Sequence, residues 1–456
     1  MRFPRPGSGG LAPAGQSAAG QSAPDQAPPG QAAGPAPPDH TAPAHQQTAP
    51  PDHTAPPLRV TTLELFFDLV FAFTLTQLTA LLAGRLTLAG VAQVVLVFGL
   101  LWWMYGGYTW LTNARPPART AERLLLLVGM AGFLVVGLAI PAGFAGAGVE
   151  LGLGYLIVVL VHSWLYFRVN RNILRVAPFN VASALLVTGA GLLARQHGSQ
   201  PAAGWALWVA AVVIQLGSPL IVHPRGLFEL RPAHLVERYS ALLLVALGES
   251  VAAIGIGAAG LTGRVGQEFA RLAIAALLGL ALAAALWWLI FGGGAEDRAE
   301  RLLSAASSER RTALAMSAYF MGNIPLLLGV VTVAAGMQQA VEHAASPPAE
   351  PARAAGVLAV GAALFLAGDV VFRLQMRTGP VRLRTTAAVL ALGTTAVGAA
   401  VSLDAQLALL TAILAATLTM ERTLARRAAG RGDDAAADVA SGELASADPL
   451  GDTTAG

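Results

Sequence analysis

Long apolar stretches, separated by short segments with arginine, proline or glycine, occupy most of the chain from about residue 58 onward. Each stretch is long enough for the roughly 20 residues that an α-helix needs to cross about 30 Å of hydrocarbon. We predict twelve membrane-spanning helices, at about residues 60–83, 88–112, 123–143, 151–168, 178–195, 203–222, 237–260, 271–292, 313–336, 355–373, 385–402 and 405–421. The pattern therefore predicts an all-α, polytopic membrane protein.

The composition agrees with this class. Of the 456 residues, 55% are hydrophobic and only 12% are charged, and the mean hydropathy is +0.60. A soluble globular protein of this length carries about twice that charged fraction. We therefore expect the main partner of the chain to be the lipid bilayer.

The two ends of the chain differ from the apolar region. Residues 1–57 consist largely of Pro, Ala, Gly, Gln and Ser and repeat the string APPDHTAP at 36–43 and 49–56. Such a segment buries too little apolar surface to offset the entropy of ordering, so we predict a disordered N-terminal tail. Residues 423–456, rich in Ala, Asp and Ser, are predicted to form a second disordered tail.

The distribution of arginine predicts the orientation. The sequence has no lysine, so all 29 positive side chains are arginines. If the N-terminus and the segments after even-numbered spans share one side, that side holds 24 arginines and the other side holds five. Because cytoplasmic loops carry the excess of basic residues, we predict a bacterial inner-membrane protein with both termini in the cytoplasm.

Several soluble-enzyme chemistries have no basis in this chain. The absence of cysteine excludes disulfides, thiolate metal sites and cysteine nucleophiles. The glycine-rich string GIGAAG at 255–260 ends a predicted span instead of joining a strand to a helix, so we interpret it as small residues that allow close helix packing. We expect no cofactor, no metal site and no nucleic-acid partner, and we favour a role other than enzyme catalysis.

Two short matches suggest an internal duplication. Trp102 and Trp103 in the second span match Trp287 and Trp288 in the eighth, and a Phe-Arg pair near the end of the fourth span recurs near the end of the tenth. In both cases the partners are six spans apart. We predict two parallel six-helix repeats, at 58–225 and 226–422, related by an axis along the membrane normal.

Two carboxylates lie one helical turn apart in the first span. Glu64 follows Thr61 by three residues, which is the spacing of a capping box at a helix start, so a structural role and a binding role are both open. Asp68 is too deep for capping. An ionised Asp inside a bilayer is unfavourable by at least about 2.5 kcal/mol, so Asp68 must face the bundle interior, pair with a cation or carry a proton.

The seventh span, which corresponds to the first in the predicted repeat, carries Glu237 near its start and Glu249 about 18 Å further along. Glu249 lies between Gly248 and Ser250, two small residues that leave room for water or for a close backbone. We therefore predict Glu249 as a candidate proton or ion site.

Three further polar positions lie within predicted spans. His162 is typical of a hydrogen-bonded interior residue, with a ligand-binding role as the alternative. Asn323 precedes Pro325 by two residues, a combination that lines a cavity or only bends the helix. Asp369 lies four residues before Arg373, which we interpret as a simple ion pair within one helix.

The strings TTLELFFDLVFAFTLTQL, WWMYGGYTW, HLVERYSALLLVALGESVAAIG and ALWWLIF occur in that order. Over residues 58–375 the chain resembles the bacterial low temperature requirement protein A (LtrA) family. The resemblance implies a multi-pass inner-membrane protein linked to growth in the cold, and it implies no catalytic residues. FFDLVFAF is also similar to the first helix of a class of two-repeat potassium channels, with Phe67 where those channels have serine.

Three functions follow from these patterns. The leading hypothesis is a transporter or permease-like protein that binds a small solute or cation at Asp68 and Glu249, with Glu64, Asn323 and His162 as further candidate site residues. A passive cation channel is the first alternative. A membrane scaffold without transport activity is the second, and it would tolerate neutral substitutions of both acids.

Overall fold

A computed structural model describes residues 60–222, 230–259, 263, 265–344 and 348–446. The predicted N-terminal tail at 1–57 and its two APPDHTAP copies lie outside the described residues. The last ten residues, 447–456, lie outside them as well. In the described part of the chain every regular element is helical.

The fold consists of fifteen α-helices in the described ranges, together with a short 3₁₀ turn after the third and a π-helix between the tenth and eleventh. They are α1 (Thr62–Gly84), α2 (Leu88–Ala114), α3 (Thr120–Ala139), α4 (Gly148–Phe167), α5 (Ile173–His197), α6 (Ala202–Val222), α7 (Pro232–Ala259), α8 (Gln267–Phe291), α9 (Ala295–Ala305), α10 (Ser308–Leu314), α11 (Asn323–Glu342), α12 (Pro351–Met376), α13 (Arg382–Gly393), α14 (Thr395–Ala400) and α15 (Leu403–Ser446).

These helices form twelve segments that are long and apolar enough to cross a membrane, which confirms the prediction of a polytopic all-α protein. The ninth segment consists of α10, the π-helix Ala315–Met321 and α11. The eleventh consists of α13 and α14. The turn predicted between the last two spans is present, because α14 ends at Ala400 and α15 begins at Leu403.

The last helix extends beyond the span predicted for it. The last helix does not end near residue 423 but continues to Ser446, into the segment expected to be disordered. Alanine has the highest helix propensity of all residues, and this segment is rich in alanine. An apolar-span criterion does not detect such a polar extension of a helix.

Large apolar side chains cover the outside of the helical bundle. Leu88, Leu138, Leu277, Val389 and Val401 are examples, each more than half exposed. A soluble protein would rarely expose so much continuous apolar surface, whereas a multi-pass protein presents it to acyl chains. The protein is therefore a membrane protein that contacts the lipid bilayer.

Corresponding spans of the two predicted repeats pack in the same way. The first span packs against the second and third, the third against the fourth, the fourth against the fifth, and the fifth against the sixth. The same pairs recur when six is added to each span number. A duplication would give this recurrence, and the duplication itself stays a prediction. In addition, α1 and α7 pack directly against each other at the boundary between the two halves.

Glycine allows the closest helix approach in the second half. A Cβ atom at Gly329 or Gly336 of α11 would lie 2.5–2.9 Å from atoms of Phe365 or Leu358 on α12. Gly257, within the GIGAAG string, faces α11 in the same way, since a Cβ there would lie 2.7 Å from the Gln338 carbonyl oxygen. The packing interpretation of that string is confirmed at Gly257.

Candidate functional site

A buried arginine, Arg238 of α7, is the centre of a charged group between α1, α2 and α7. Its guanidinium donates to Glu64 Oε1 at 2.9 Å and to Asp68 Oδ1 at 3.2 Å, and also to the Thr112 hydroxyl of α2. Arg238 is 1% exposed, and both carboxylates are fully buried. Because a charge in a low-dielectric interior needs a counter-charge, Arg238 explains how α1 carries two acids.

Glu64 has two structural roles at once. The predicted capping box is confirmed: Glu64 Oε2 accepts from the Thr61 backbone N–H at 2.9 Å, and the Thr61 hydroxyl accepts from the Glu64 backbone N–H. The same Oε2 lies 3.2 Å from Nε2 of His234 on α7. We call Glu64, Asp68, His234 and Arg238 the α1–α7 cluster.

The protonation of His234 follows from its neighbours. The Asn113 side chain is oriented by the backbone of Arg231, whose N–H donates to Oδ1 at 3.0 Å and whose carbonyl accepts from Nδ2 at 3.1 Å. That leaves the Asn113 amide N–H₂ facing His234 Nδ1 at 3.2 Å, so Nδ1 is the acceptor. The proton of His234 is therefore on Nε2, where it is donated to Glu64, and the ring is neutral.

The charges of the α1–α7 cluster do not balance. Two carboxylates face one guanidinium and a neutral imidazole, which gives a net charge of −1. Asp68 Oδ1 accepts from both Arg238 and the Tyr105 hydroxyl, the latter at 2.9 Å, but Asp68 Oδ2 has no hydrogen-bond partner. A buried carboxylate oxygen without a donor is the kind of group that binds a cation or accepts a proton.

Aromatic rings surround this cluster. The Arg238 guanidinium lies 5.7 Å from the Phe67 ring centre and 5.9 Å from that of Tyr105. Trp102 stacks on Tyr105 at 5.5 Å, and its indole N–H donates to the Phe320 carbonyl in the π-helix at 2.9 Å. These aromatic faces favour cations and keep lipid away from the charged groups.

Glu249 lies further along the same α1–α7 interface and is 5% exposed. Its Oε2 accepts a hydrogen bond from the Thr76 hydroxyl of α1, and its Oε1 has no partner. The hydroxyls of Thr79 and Ser250 also lack partners. Glu249 therefore belongs to a small, incompletely hydrogen-bonded polar group within an apolar interface.

The structure brings Asp68 and Glu249 to one interface but not into direct contact. Arg238, the partner of Asp68, and Glu249 are eleven residues apart on α7, or about 16 Å at 1.5 Å per residue. Their hydrogen-bond partners are different. The interface consequently has two separate acidic positions along the membrane normal.

Asn323 lines a cavity, which is one of the two roles predicted for it. It is 1% exposed, it follows the π-helix, and its amide nitrogen has no partner. The cavity has a volume of about 40 Å³ and is also lined by Tyr239, Asp369 and Arg373. This volume is enough for a water molecule among polar groups. Tyr239, next to Arg238 in α7, thus lies between this cavity and the α1–α7 cluster.

His162 does not join the α1–α7 cluster. It is buried, as predicted, and neither ring nitrogen has a side-chain hydrogen-bond partner among the described residues. Its ring packs against the Tyr108 and Tyr166 rings at 5.2 and 5.4 Å and lies where a Cβ on Gly107 would be. Packing, and not a polar contact, holds His162 in place.

A second charged group lies between α12, α13 and α15. The predicted i,i+4 pair of Asp369 and Arg373 is present, and it is part of a larger group. Asp369 is 3.2 Å from Arg373 and 2.6 Å from Arg384, and Arg384 forms two further bonds to Glu421 at 2.9 and 3.0 Å. Arg384 also donates to the Leu289 carbonyl at 2.9 Å. We call Asp369, Arg373, Arg384 and Glu421 the carboxy-terminal cluster.

Within the part of the chain that the structure describes, no three His, Asp or Glu side chains are arranged to hold a metal ion.

Sequence comparison identifies the family. The model of the bacterial low temperature requirement A protein (LtrA) matches residues 59–419, which include the α1–α7 cluster and every member of the carboxy-terminal cluster except Glu421. The chain belongs to the LtrA family. The match confirms the resemblance and extends it past residue 375, into the last apolar span.

A curated relative carries no assigned activity. The chain is 29% identical over 209 residues to an uncharacterized protein of Rhizobium meliloti (strain 1021), an alignment that covers 42% of this chain. The matched region spans 49% of that protein, or about half of its length. The LtrA membership and the apolar helices together make this chain a bacterial multi-pass membrane protein.

Sequence reasoning missed the residue that organises the α1–α7 cluster. Arg238 was counted among the arginines of the cytoplasmic side, although it is buried in α7. A signal was available, since the two acids of the first span required a cation and Arg238 is an arginine within an apolar stretch of the corresponding span. His234, one turn earlier on α7, was also missed.

Proposed function

We propose that this LtrA-family protein is a transporter in which the α1–α7 interface binds a cation or a proton that moves together with a small solute. The observation that carries the proposal is the unpaired Asp68 Oδ2 in a buried cluster of net charge −1. A cation or a proton at this oxygen would neutralise the cluster. Binding would then change the electrostatic attraction that holds α1 against α7.

Glu249 supports the same function at a second position. Its unpaired Oε1 lies about 16 Å beyond the level of Arg238 along α7, and its other carboxylate oxygen accepts from the Thr76 hydroxyl of α1. Two acidic positions along one interface provide successive binding places for a cation that crosses the membrane. Asn323 and the π-helix beside it provide a third polar group near this route.

The interface between α1 and α7 is also suited to movement. In the predicted duplication, these helices are equivalent members of two repeats, and in many transporters the repeats rock against each other around a site between them. The cluster is fully buried in this structure, so cation access requires that α1 and α7 separate at one end. We propose that Arg238 joins the two helices when the site is unoccupied and that a bound cation competes with it.

We further propose that the protein lies in the inner membrane with both termini in the cytoplasm. The 24 to 5 distribution of arginine supports this orientation. A role in growth at low temperature is proposed from the family description alone. Growth of a deletion strain in the cold, with and without the gene restored, tests that role.

Flux measurements in proteoliposomes test the transporter proposal. Wild type, Asp68→Asn, Glu249→Gln and the matched control Glu150→Gln are reconstituted, and uptake of H⁺, K⁺ and candidate solutes is recorded. Glu150 is an exposed acid in the first turn of α4, paired with Arg195 at 2.7 Å, so it controls for the loss of one carboxylate. We expect solute-dependent cation flux in wild type and Glu150→Gln, and at least about tenfold lower flux in both site variants.

The alternatives give different results in the same assay. Cation flux that needs no solute and follows only the membrane potential would indicate a channel and contradict coupled transport. Equal flux in wild type and both site variants would contradict a role for either acid. The absence of any flux in wild type, with normal rescue of cold growth by both variants, would indicate a membrane scaffold.

A further inference from the structure

A cavity of about 110 Å³ lies at one end of the bundle, between the end of α2, the start of α3 and the end of α4. It borders the α1–α7 cluster at Thr112, whose hydroxyl accepts from Arg238, but neither Asp68 nor Glu249 lines it. Its polar lining consists of Thr112, Arg115, Arg119, Glu122, Trp164 and Arg168. The arginine distribution predicts that this end of the bundle faces the cytoplasm.

The cavity carries a net positive charge. Three arginines face one carboxylate, and that carboxylate is already engaged: Glu122 Oε2 accepts from the Ala118 and Arg119 backbone N–H groups at 3.1 and 3.3 Å, and Oε1 is 3.7 Å from Arg115. Among the described residues, no carboxylate lies within ion-pair distance of Arg119 or Arg168. The excess charge of about +2 is available to a ligand.

The rest of the lining is apolar. Leu125, Leu165 and Val169 contribute to the wall, and Trp164 is 52% exposed with the Arg168 guanidinium 5.5 Å from its ring centre. Tryptophan prefers the region where lipid headgroups meet acyl chains. A ligand that fits this lining has an anionic group next to a hydrocarbon part.

We propose that this cavity binds the phosphodiester headgroup of an anionic phospholipid. The planar guanidinium groups of Arg115, Arg119 and Arg168 match the geometry of phosphate oxygens, which they can bind through paired N–H donors. Basic pockets between transmembrane helices at the cytoplasmic surface suit such headgroups. Free phosphate shares the anionic chemistry, but it makes no use of Trp164 and the apolar wall.

Lipid binding to the purified full-length protein tests this assignment. Affinities for phosphatidylglycerol, phosphatidylcholine and inorganic phosphate are measured by native mass spectrometry and by thermal unfolding in detergent. The site variant is the triple substitution Arg115→Gln, Arg119→Gln and Arg168→Gln. The matched control, Arg301→Gln, Arg310→Gln and Arg382→Gln, removes three exposed arginines that are predicted on the same membrane side.

We expect wild type to bind phosphatidylglycerol at least about tenfold more tightly than phosphatidylcholine. Each arginine near an anionic lipid raises the affinity about fivefold. The site variant should therefore bind phosphatidylglycerol about 100-fold more weakly than wild type. The control variant should bind it less than about fivefold more weakly. Circular dichroism and unfolding in phosphatidylcholine alone establish that the variants are folded. If the triple variant does not fold, Arg119→Gln alone should show the fivefold loss.

Two results would overturn the proposal. Equal losses in the site and control variants would mean that lipid follows overall surface charge. Binding of inorganic phosphate without preference for phosphatidylglycerol over phosphatidylcholine would mean that a soluble anion, and not a lipid, is the ligand. Neither result depends on flux, so failure here is distinguishable from failure of the transporter proposal.

Discussion

The α1–α7 cluster and the carboxy-terminal cluster are both buried groups of acids and arginines, but they are built differently. The carboxy-terminal cluster has two carboxylates and two guanidinium groups, and no buried side-chain atom of its four residues lacks a partner. The α1–α7 cluster has two carboxylates, one guanidinium and a neutral histidine, and Asp68 Oδ2 is unpaired.

This difference distinguishes an ion network that only stabilises the fold from a candidate ion-binding site. A buried ion network whose charges cancel is stable only while all its members are present, and it has no capacity for a further ion. A network with one excess negative charge and one free oxygen does have that capacity. The carboxy-terminal cluster therefore joins α12, α13 and α15, whereas the α1–α7 cluster is the candidate for ion binding.

The largest expected effect is on stability, at the centre of the balanced cluster. Arg384→Ala removes the partner of Asp369 and Glu421 and leaves the Leu289 carbonyl without its donor. Removing one member of a buried ion network destabilises by about 3–5 kcal/mol. Thermal unfolding in detergent should show a large decrease, with partial recovery in Arg384→Lys. An unchanged unfolding temperature would contradict a structural role for the cluster.

A smaller loss of stability is expected for Arg238→Gln. Glu64 and Asp68 would lose their cation but keep hydrogen bonds from Thr61, His234 and Tyr105. We expect a destabilisation of about 2–4 kcal/mol, near the lower part of the range for a broken buried pair. Because Asp68→Asn removes the excess charge, the double variant Arg238→Gln/Asp68→Asn should recover at least about half of the loss. A double variant less stable than Arg238→Gln would contradict the charge imbalance.

The Glu249→Gln substitution should leave stability nearly unchanged while it removes transport. Glutamine keeps an oxygen that accepts from Thr76, so the free energy of unfolding should change by less than about 1 kcal/mol. Flux in proteoliposomes should still decrease at least about tenfold. A stability loss as large as that of Arg238→Gln would instead indicate that Glu249 is a structural residue.

The smallest effect is expected at the exposed pair of Glu150 and Arg195. Both side chains are about half exposed, so water already solvates the two charges. Exposed ion pairs contribute little because solvent and salt screen them. Glu150→Gln should therefore match wild type in unfolding temperature and flux within experimental error. A clear change in the unfolding temperature or the flux of Glu150→Gln would contradict the distinction between exposed and buried acids. Glu150→Gln would then also be unsuitable as a control.

The two clusters also show which structural features could be predicted from the sequence. The spans, the capping box at Glu64 and the inward orientation of Asp68 follow from local properties: length, hydropathy, the Thr61 spacing and the unfavourable free energy of a charge in hydrocarbon. These properties depend on residues close together in the chain. They could be predicted and are present in the structure.

The partners in each cluster depend on distant residues. Arg238 is 170 residues from Asp68, and Glu421 is 37 residues from Arg384. Which side chains meet depends on how each helix is rotated about its axis, and a one-dimensional hydropathy pattern does not determine that rotation when most of a helix surface is apolar. The sequence therefore revealed which acids needed a cation but not which arginine supplied it.

The π-helix at Ala315–Met321 is a second feature without a local signal. Its segment is apolar and resembles part of an ordinary membrane span. One wider helical turn changes the length and mean hydropathy of a span too little to be detected in the sequence. It brings Asn323 to the cavity beside Asp369 and Arg373, and it leaves the Phe320 carbonyl free to accept from Trp102. Pro325 indicated only that the helix was irregular nearby.

The most direct test compares the two buried aspartates, Asp68 and Asp369, after the same change to asparagine. Unfolding temperature and cation-coupled flux are measured for both variants and for wild type. The account predicts that Asp68→Asn folds with near wild-type stability and loses flux, while Asp369→Asn, which loses charge-assisted bonds to two arginines, is destabilised by about 2–3 kcal/mol. Wild-type flux in a folded Asp68→Asn protein would contradict it.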